Sequence, residues 1–294
     1  MYVRQMEESE MFLCRFNHDR LGVVENGLVH DVTAALDMLP SERWPQSFGD
    51  ALYRHWDLVR DAIREVRPLA AAVPADSVTW AAPVATPSKI VCAPVNYLDH
   101  KSEADADPAN FYQHLNKIQD AGLFLKSTSA LVGPSDGVRL RHLDRRNDHE
   151  IELAVVIGRS ADRVSRDDAL SYVAGYAIGL DMTVRGPEER SFRKSVDTFA
   201  VLGPWLVTAD ELFDPSRLDI ALKVNGELRQ QANTQDLIVD VPGLIEMASR
   251  FYTLFPGDVI LTGTPAGVGP VVPGDVIDAS ISRIGSMSVS VRAG

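Results

Sequence analysis

The sequence predicts an α+β protein in which strands dominate, with a small N-terminal β-containing unit over residues 1–85 and a larger second domain over residues 86–294. Three observations lead there. Asn26-Gly27 and Asn225-Gly226 each sit between short apolar runs, a strong local signal for a two-residue hairpin because both turn positions need positive φ. Two stretches, 48–67 with Leu52, Trp56, Leu58, Val59, Ile63 and Val66, and 237–255 with Leu244, Ile245, Met247, Ala248, Phe251 and Leu254, follow the helical period. Residues 69–76 and 82–87 are small and proline-rich, which suits an extended linker and places the boundary near residue 85.

Composition bounds the function. A chain of 294 residues makes one large domain, or a large one with a minor partner. Hydrophobic residues at 45% and charged residues at 24% exclude a disordered chain and a membrane protein, and no apolar run reaches membrane-spanning length. A net charge of −12 argues against nucleic acid and anionic membrane as partners, since both demand a basic face. A small anionic substrate then requires local positive charge or a metal. The first ten residues are polar and acidic, without the basic start and apolar middle of a secretory signal, so a cytoplasmic protein is expected. Cys14 and Cys92 lie in apolar segments and are expected as buried thiols, with neither a disulfide nor a thiolate metal site.

In chain order, residues 12–16, 20–24 and 28–32 read as strands of the N-terminal unit, and a helix follows within 48–67. The apolar strand 89–97 runs into Leu98-Asp99-His100-Lys101-Ser102-Glu103. On a short helix His100 and Glu103, three apart, share a face where the carboxylate orients the imidazole and raises its basicity; a surface pair is the plainer alternative. Residues 104–122 are polar with a few aromatics and are expected to form a mobile helical flap. Phe124-Leu125-Lys126 and residues 130–134 follow, and a basic loop carrying Arg139, Arg141, Arg145 and Arg146 leads into the stretch 147–158.

That stretch reads as one strand with acids at its start. Ile151, Leu153, Val155 and Ile157 alternate with Glu150, Glu152, Ala154 and Val156, so Glu150 and Glu152 share a face. Neighbouring carboxylates repel, and holding both ionised calls for a cation between them; two solvated acids are the alternative. His149 points to the opposite face and is left out of the ligand set. Residues 169–180 read as a helix passing into a buried strand that ends at Asp181, either a cap for the next turn or a third carboxylate. In the charged segment 182–199, Lys194 is a candidate electrophile toward a developing oxyanion, against the alternative of a solvated lysine. Pro-Gly-Asp-Val-Ile occurs at 256–260 and 273–277, each a turn feeding a strand. The glycines of 261–269 allow backbone amides close to a ligand, but the segment lacks the Gly-Lys-Ser/Thr ending of a nucleotide loop, which excludes ATP and GTP.

Five motifs in this order resemble the fumarylacetoacetate hydrolase (FAH) family. They are Asn96-Tyr97 with His100-x-x-Glu103; Phe124-Leu125-Lys126 with Ser129 and Gly133; Asp148-x-Glu150-x-Glu152-Leu153; Asp181-x-Thr183-x-Arg185 with Lys194-Ser195-x-Asp197-Thr198-Phe199; and Pro256-Gly257-Asp258 with Thr262-Gly263-Thr264-Pro265. The resemblance spans roughly residues 85 to 294 and implies an FAH-type mixed β-sandwich roll, a homodimer and a Mg2+ site, with Mn2+ or Ca2+ as alternatives. Carried over by position, it implies that Glu150, Glu152 and Asp181 hold the metal and that His100, oriented by Glu103, activates a water. It gives Lys194 the developing oxyanion or enolate and Thr264, with adjacent backbone, the substrate carboxylate, and places Asn96, Tyr97 and Arg185 at the substrate. Pro94 in place of a usual glycine, Glu188 in place of a common glutamine, and a long 104–122 segment point to an unusual pocket.

The implied activity is metal-dependent hydrolysis of a carbon–carbon bond in a 2,4-diketo acid, of acylpyruvate or fumarylacetoacetate type, in the breakdown of aromatic compounds or sugars. The family also holds 2-oxo acid decarboxylases and 2-hydroxy-dienedioate isomerases, which need no attacking water; His100 and Glu103 favour hydrolysis. A non-catalytic ligand-binding protein on the same fold is the reading from another class, and absence of metal affinity favours it.

Overall fold

The strand Ile151–Ile157 is buried along its whole length and separates two apolar cores. Ile151, Leu153, Val155 and Ile157 enter one core, Ala154 and Val156 the other, as a period of two requires when both faces are covered. The computed structural model describes residues 11–99 and 118–294.

Among the described residues this strand belongs to a twelve-stranded sheet. It pairs antiparallel with Val173–Asp181 on one side and Val259–Leu261 on the other. Beyond Val259–Leu261 lie Ile90–Cys92, parallel to it, and Phe124–Lys126. Beyond Val173–Asp181 come Ala200–Thr208 and the N-terminal strands Phe12–Phe16, Arg20–Glu25, Leu28–Asp31 and Ala72–Pro74. A five-stranded sheet, ordered Glu227–Asn233, Asp219–Val224, Val276–Ile281, Gly285–Ala293 and Val138–Leu140, packs Ile220, Leu222, Ile277 and Val289 into the first core. The helix Val241–Phe251 adds Leu244, Ile245 and Ala248 to that core, and the helix Trp56–Val66 adds Val59 and Ile63 to the second. The result is the β-rich α+β sandwich that the sequence predicts.

Local signals hold in detail. Asn26 and Gly27 have φ of 50° and 76°, Asn225 and Gly226 52° and 81°, the positive values that a two-residue hairpin turn demands. Asp240 caps the helix at 241 by accepting a hydrogen bond from Gly243 N at 3.1 Å. Residues 169–180 resolve into a short 3-10 turn, Ala169–Tyr172, and the buried strand Val173–Asp181. Cys14 and Cys92 are free and buried.

Two expectations change. The segments 69–76 and 82–87 do not form a plain linker: Ala72–Pro74, within the first, pairs with Leu28–Asp31, and Trp80–Ala81, between the two, pairs with Phe12–Phe16. Since Phe12 and Leu13 also pair with Val207 and Leu206, the N-terminal strands extend the same sheet as the rest of the chain. Nor is 147–158 one strand. Asn147–His149 lies in a three-stranded sheet with Thr183–Val184 and Gly269–Pro270, whereas Ile151–Ile157 lies in the large sheet, and the chain crosses between them at Glu150. Every side chain on either side of the crossing is buried, so alternation carries no mark of it.

Asp258 fastens the sheet on the side away from the N-terminus. Wholly buried, it accepts at Oδ1 from Ser88 N (2.8 Å), Ser88 Oγ (2.7 Å) and Lys89 N (2.9 Å), and at Oδ2 from Phe255 N (2.7 Å) and Lys89 Nζ (2.8 Å). These bonds set the register in which Ile90–Cys92 meets Val259–Leu261. Asp258→Ala strands those donors and is expected to cost about 3–5 kcal/mol. Urea unfolding checks this; a midpoint equal to that of the parent chain removes Asp258 from this role.

Candidate metal centre

The acidic strand, its neighbour and the crossing between two sheets bring three carboxylates together. Glu150 stands at the crossing, Glu152 on Ile151–Ile157, and Asp181 at the end of Val173–Asp181. Asp181 N donates to Glu150 O at 2.9 Å, which locks the crossing against the strand end. All three side chains are buried, and one carboxylate oxygen from each lies within 4.8 Å of the others. Asp181 is thus placed as a third carboxylate rather than a cap.

Cations answer this charge unevenly. Lys194 Nζ lies 2.6 Å from Glu150 Oε2 and 2.8 Å from Asp181 Oδ2. Burial alone disfavours its ammonium, but the charges of Asp181 and Glu150 outweigh burial and raise its pKa above the usual lysine value. Lys126 Nζ donates to Asp181 Oδ1 at 2.5 Å and to Met182 O at 3.2 Å. Glu150 Oε1 also accepts from Thr183 Oγ1 at 3.1 Å and Arg185 Nη2 at 3.3 Å. Glu152 differs: it accepts from Gly263 N at 2.6 Å, and among the described residues no side-chain cation contacts it. Burial, then the charges of Asp181 and Glu150, push its carboxyl well above the usual range. A buried third carboxylate with no cation of its own, beside two others, is what a hard divalent ion satisfies, so the donor set fits a metal of the Mg2+ or Mn2+ kind.

Other sequence-predicted residues fall into place differently. His100 and Glu103, and the flap segment as far as residue 117, lie outside the described residues; Ile118–Ala121 forms a short helix. Lys194, the alternative reading of which was a solvated side chain, is only 5% exposed and closes the helix Arg190–Lys194, whose start is capped by Glu189. Asn96 is committed to main chain: Nδ2 donates to Val239 O and Thr262 O, both at 2.8 Å, and Oδ1 accepts from Val239 N at 2.8 Å. This makes Asn96 a brace for the loop after Val259–Leu261 rather than a free donor. Tyr97 is 2% exposed, and its hydroxyl has no partner among the described residues. Arg185 Nε holds Asp148 Oδ2 at 2.6 Å while its Nη2 reaches Glu150. Thr264 Oγ1 accepts from Gln230 Nε2 at 2.8 Å. Gly263 has φ of +98°, and a Cβ there would meet Asn96 Cβ at 2.7 Å, so glycine is required for the amide to reach Glu152. Lys126 was not singled out from sequence as a site residue; the signal was available in a lysine ending the apolar run Phe124–Lys126.

Residues 89–292 match the profile of the fumarylacetoacetate (FAA) hydrolase C-terminal family. The chain belongs to the fumarylacetoacetate hydrolase family. It is 54% identical over 289 residues to a maleylpyruvate hydrolase of Aquipseudomonas alcaligenes, an alignment covering 96% of this chain and 100% of that protein. The crystal structure of maleylpyruvate hydrolase from Sphingobium sp. SYK-6, in complex with manganese(II) and pyruvate, superimposes with a TM-score of 0.82 at 44% identity, covering 97% of this chain and 100% of that one. A mitochondrial oxaloacetate tautomerase of Rattus norvegicus is 37% identical over 240 residues, 78% of this chain and 73% of that protein.

If these carboxylates form the metal site, Glu150→Ala weakens Mn2+ and Mg2+ binding by more than about 10-fold. Calorimetric titration reads this directly, and an unchanged isotherm takes Glu150 out of the ligand set.

Proposed function

We propose that this chain is a metal-dependent hydrolase that cleaves a carbon–carbon bond in an acylpyruvate of the maleylpyruvate type, within the breakdown of aromatic compounds. The observation that carries the reading is the buried meeting of Glu150, Glu152 and Asp181 under the Lys194 ammonium. The 54% identity to a maleylpyruvate hydrolase along nearly the whole chain supports the substrate class. Mg2+ is the lead ion and Mn2+ the alternative that the Sphingobium complex supports; Glu150, Glu152 and Asp181 would hold it. Such an ion supplies Lewis-acid polarisation of the 2-oxo group.

The chain's own groups complete the chemistry. Lys194, kept charged by two carboxylates, donates toward negative charge as it develops on oxygen. The buried Tyr97 hydroxyl and Thr264 line the substrate, and Arg185 sets the position of Glu150. His100, oriented by Glu103, takes a proton from the water that attacks the distal carbonyl. The bond between that carbonyl carbon and C3 breaks, releasing a free acid, and protonation at C3 gives pyruvate. The same reading takes the enzyme as a cytoplasmic homodimer, with no nucleic acid or membrane partner. Among the described residues no helix is long and apolar enough to cross a membrane. It also keeps the division near residue 85, a choice supported by the family match that begins at residue 89. Proton transfer without hydrolysis is the second reading, favoured by the tautomerase relative.

Mn2+-loaded protein incubated with acylpyruvates, oxaloacetate and a 2-hydroxy-dienedioate separates the two by mass spectrometry of products. Pyruvate plus a free acid is expected; a mass-neutral shift alone moves the chain to the tautomerase or isomerase branch, and loss of carbon dioxide to the decarboxylases. Lys194→Ala is expected to lower kcat by at least about 100-fold with cooperative unfolding retained in Mn2+. Turnover close to that of the parent chain would strip Lys194 of its role.

A further inference from the structure

The strand Glu227–Asn233 is an edge of the five-stranded sheet, and its side chains are exposed or half-buried with one exception. The exception is Gln230, which is wholly buried. Opposite it the register shifts: Lys223 faces Leu228 and Leu222 faces Gln230, leaving Arg229 as an extra residue. A bulge of this kind re-aims the side chain that follows it. Here it turns a glutamine from an exposed strand into the interior.

Inside, the carboxamide uses all its hydrogen-bonding capacity. Ile151 N–H, at 3.2 Å, can only donate, so the atom facing it is Oε1; the Pro265 carbonyl, at 2.8 Å, can only accept, so the atom facing it is Nε2. Oε1 also faces His149 Nδ1 at 3.0 Å, which must therefore carry the proton. The second hydrogen of Nε2 goes to Thr264 Oγ1 at 2.8 Å. Thr264 thus accepts at its oxygen, and among the described residues no acceptor takes its own hydrogen. The preceding residue, Gly263, donates its amide to Glu152, so this hydroxyl stands one residue from the acidic cluster.

We propose that Gln230 is a positioning residue for the substrate carboxylate: by donating to one lone pair of Thr264, it turns that hydroxyl's hydrogen toward the carboxylate of the 2-oxo acid. This rests on the functional reading above. A hydroxyl left alone rotates and serves either as donor or as acceptor. With one of its two lone pairs taken by the Gln230 amide, its hydrogen is turned away from Gln230, and the ligand that suits a donor held in that direction is an anion.

The test uses the full chain loaded with Mn2+, with calorimetric binding of oxalate as the probe and KM and kcat on an acylpyruvate beside it. The variants are Gln230→Met, Gln230→Glu, Thr264→Val, and Gln230→Met combined with Thr264→Val. Gln230→Met and Thr264→Val are each expected to weaken oxalate binding and raise KM by about 10-fold with kcat within about 2-fold, the size of one hydrogen bond to a charged group. The double variant is expected to be no worse than Thr264→Val alone. Gln230→Glu keeps the size and the acceptor toward Ile151 but offers Thr264 an acceptor, so a loss at least as large is expected even if Gln230→Met fails to fold. Additive losses in the double variant, or oxalate binding by folded Gln230→Glu as tight as the parent's, overturn the proposal. Parent protein that hydrolyses an acylpyruvate while the Gln230 variants bind oxalate normally defeats this inference alone. Parent protein that shows the oxalate cycle but turns over no acylpyruvate defeats the functional reading alone.

Discussion

Three carboxylates buried within reach of one another repel, and much of the molecule around them follows from how that repulsion is met. The sheet supplies the position. Glu152 lies opposite Gly179 across the strand pair and Ile151 opposite Leu180, so Asp181 emerges beside the crossing at Glu150. A Cβ on Gly179 would meet Leu261 Cδ2 at 2.5 Å; this glycine leaves room for the Leu261 side chain, two residues before the Gly263 amide that reaches Glu152. The surrounding helices and loops then supply charge. Lys194 arrives on a short helix and Lys126 on the last strand of the same sheet, each placing an ammonium on Asp181.

A second layer orients the first. Asp148, wholly buried, holds Arg146 Nε at 2.7 Å on one oxygen and Arg185 Nε at 2.6 Å on the other, so the Arg185 guanidinium is aimed at Glu150 from a fixed base. Arg145 grips the Arg185 carbonyl at 2.7 Å and makes a two-point pair with Glu188, at 3.0 and 2.8 Å. The residue that departs from the family's common glutamine is therefore matched by a guanidinium from the basic loop, a pairing that a neutral amide could not make bidentately. Burial of Asp148 without Arg146 and Arg185 would carry a desolvation cost of several kcal/mol, so Arg146 of the basic loop is a structural counterpart of the acidic strand.

Much of this was legible in the sequence because the signals are local. Asn-Gly turns, the helical period within 237–255 and the alternation around Ile151 depend on a few neighbouring residues, and the structure keeps each of them. The acidic pair and Asp181 were legible for a related reason: carboxylates at the ends of apolar strands stand out against their surroundings. What sequence could not carry was the meeting of distant segments. Asn96 braces Val239 across 143 positions and Thr262 across 166, so its role depends on contacts that no window of sequence contains. The change of sheet at Glu150 was hidden because both flanking segments are buried, and Gln230 was hidden because a single bulge reverses the facing that strict alternation assigns it.

The uneven division of countercharge has a consequence for how such a site works. Among the described residues, Glu150 accepts from Lys194 and Arg185 and Asp181 from Lys194 and Lys126, whereas Glu152 accepts from a peptide amide and contacts no side-chain cation. Had every carboxylate been matched by a side-chain cation, the cluster would be electrostatically complete and would gain little from an added ion. Had none been matched, three buried acids would take up protons and lose their value as hard ligands. Leaving one carboxylate without a cation keeps the cluster assembled by the fold itself while reserving an attraction that a divalent ion can fill. Lys194, held between Glu150 and Asp181, then stays as a fixed positive charge inside the cluster.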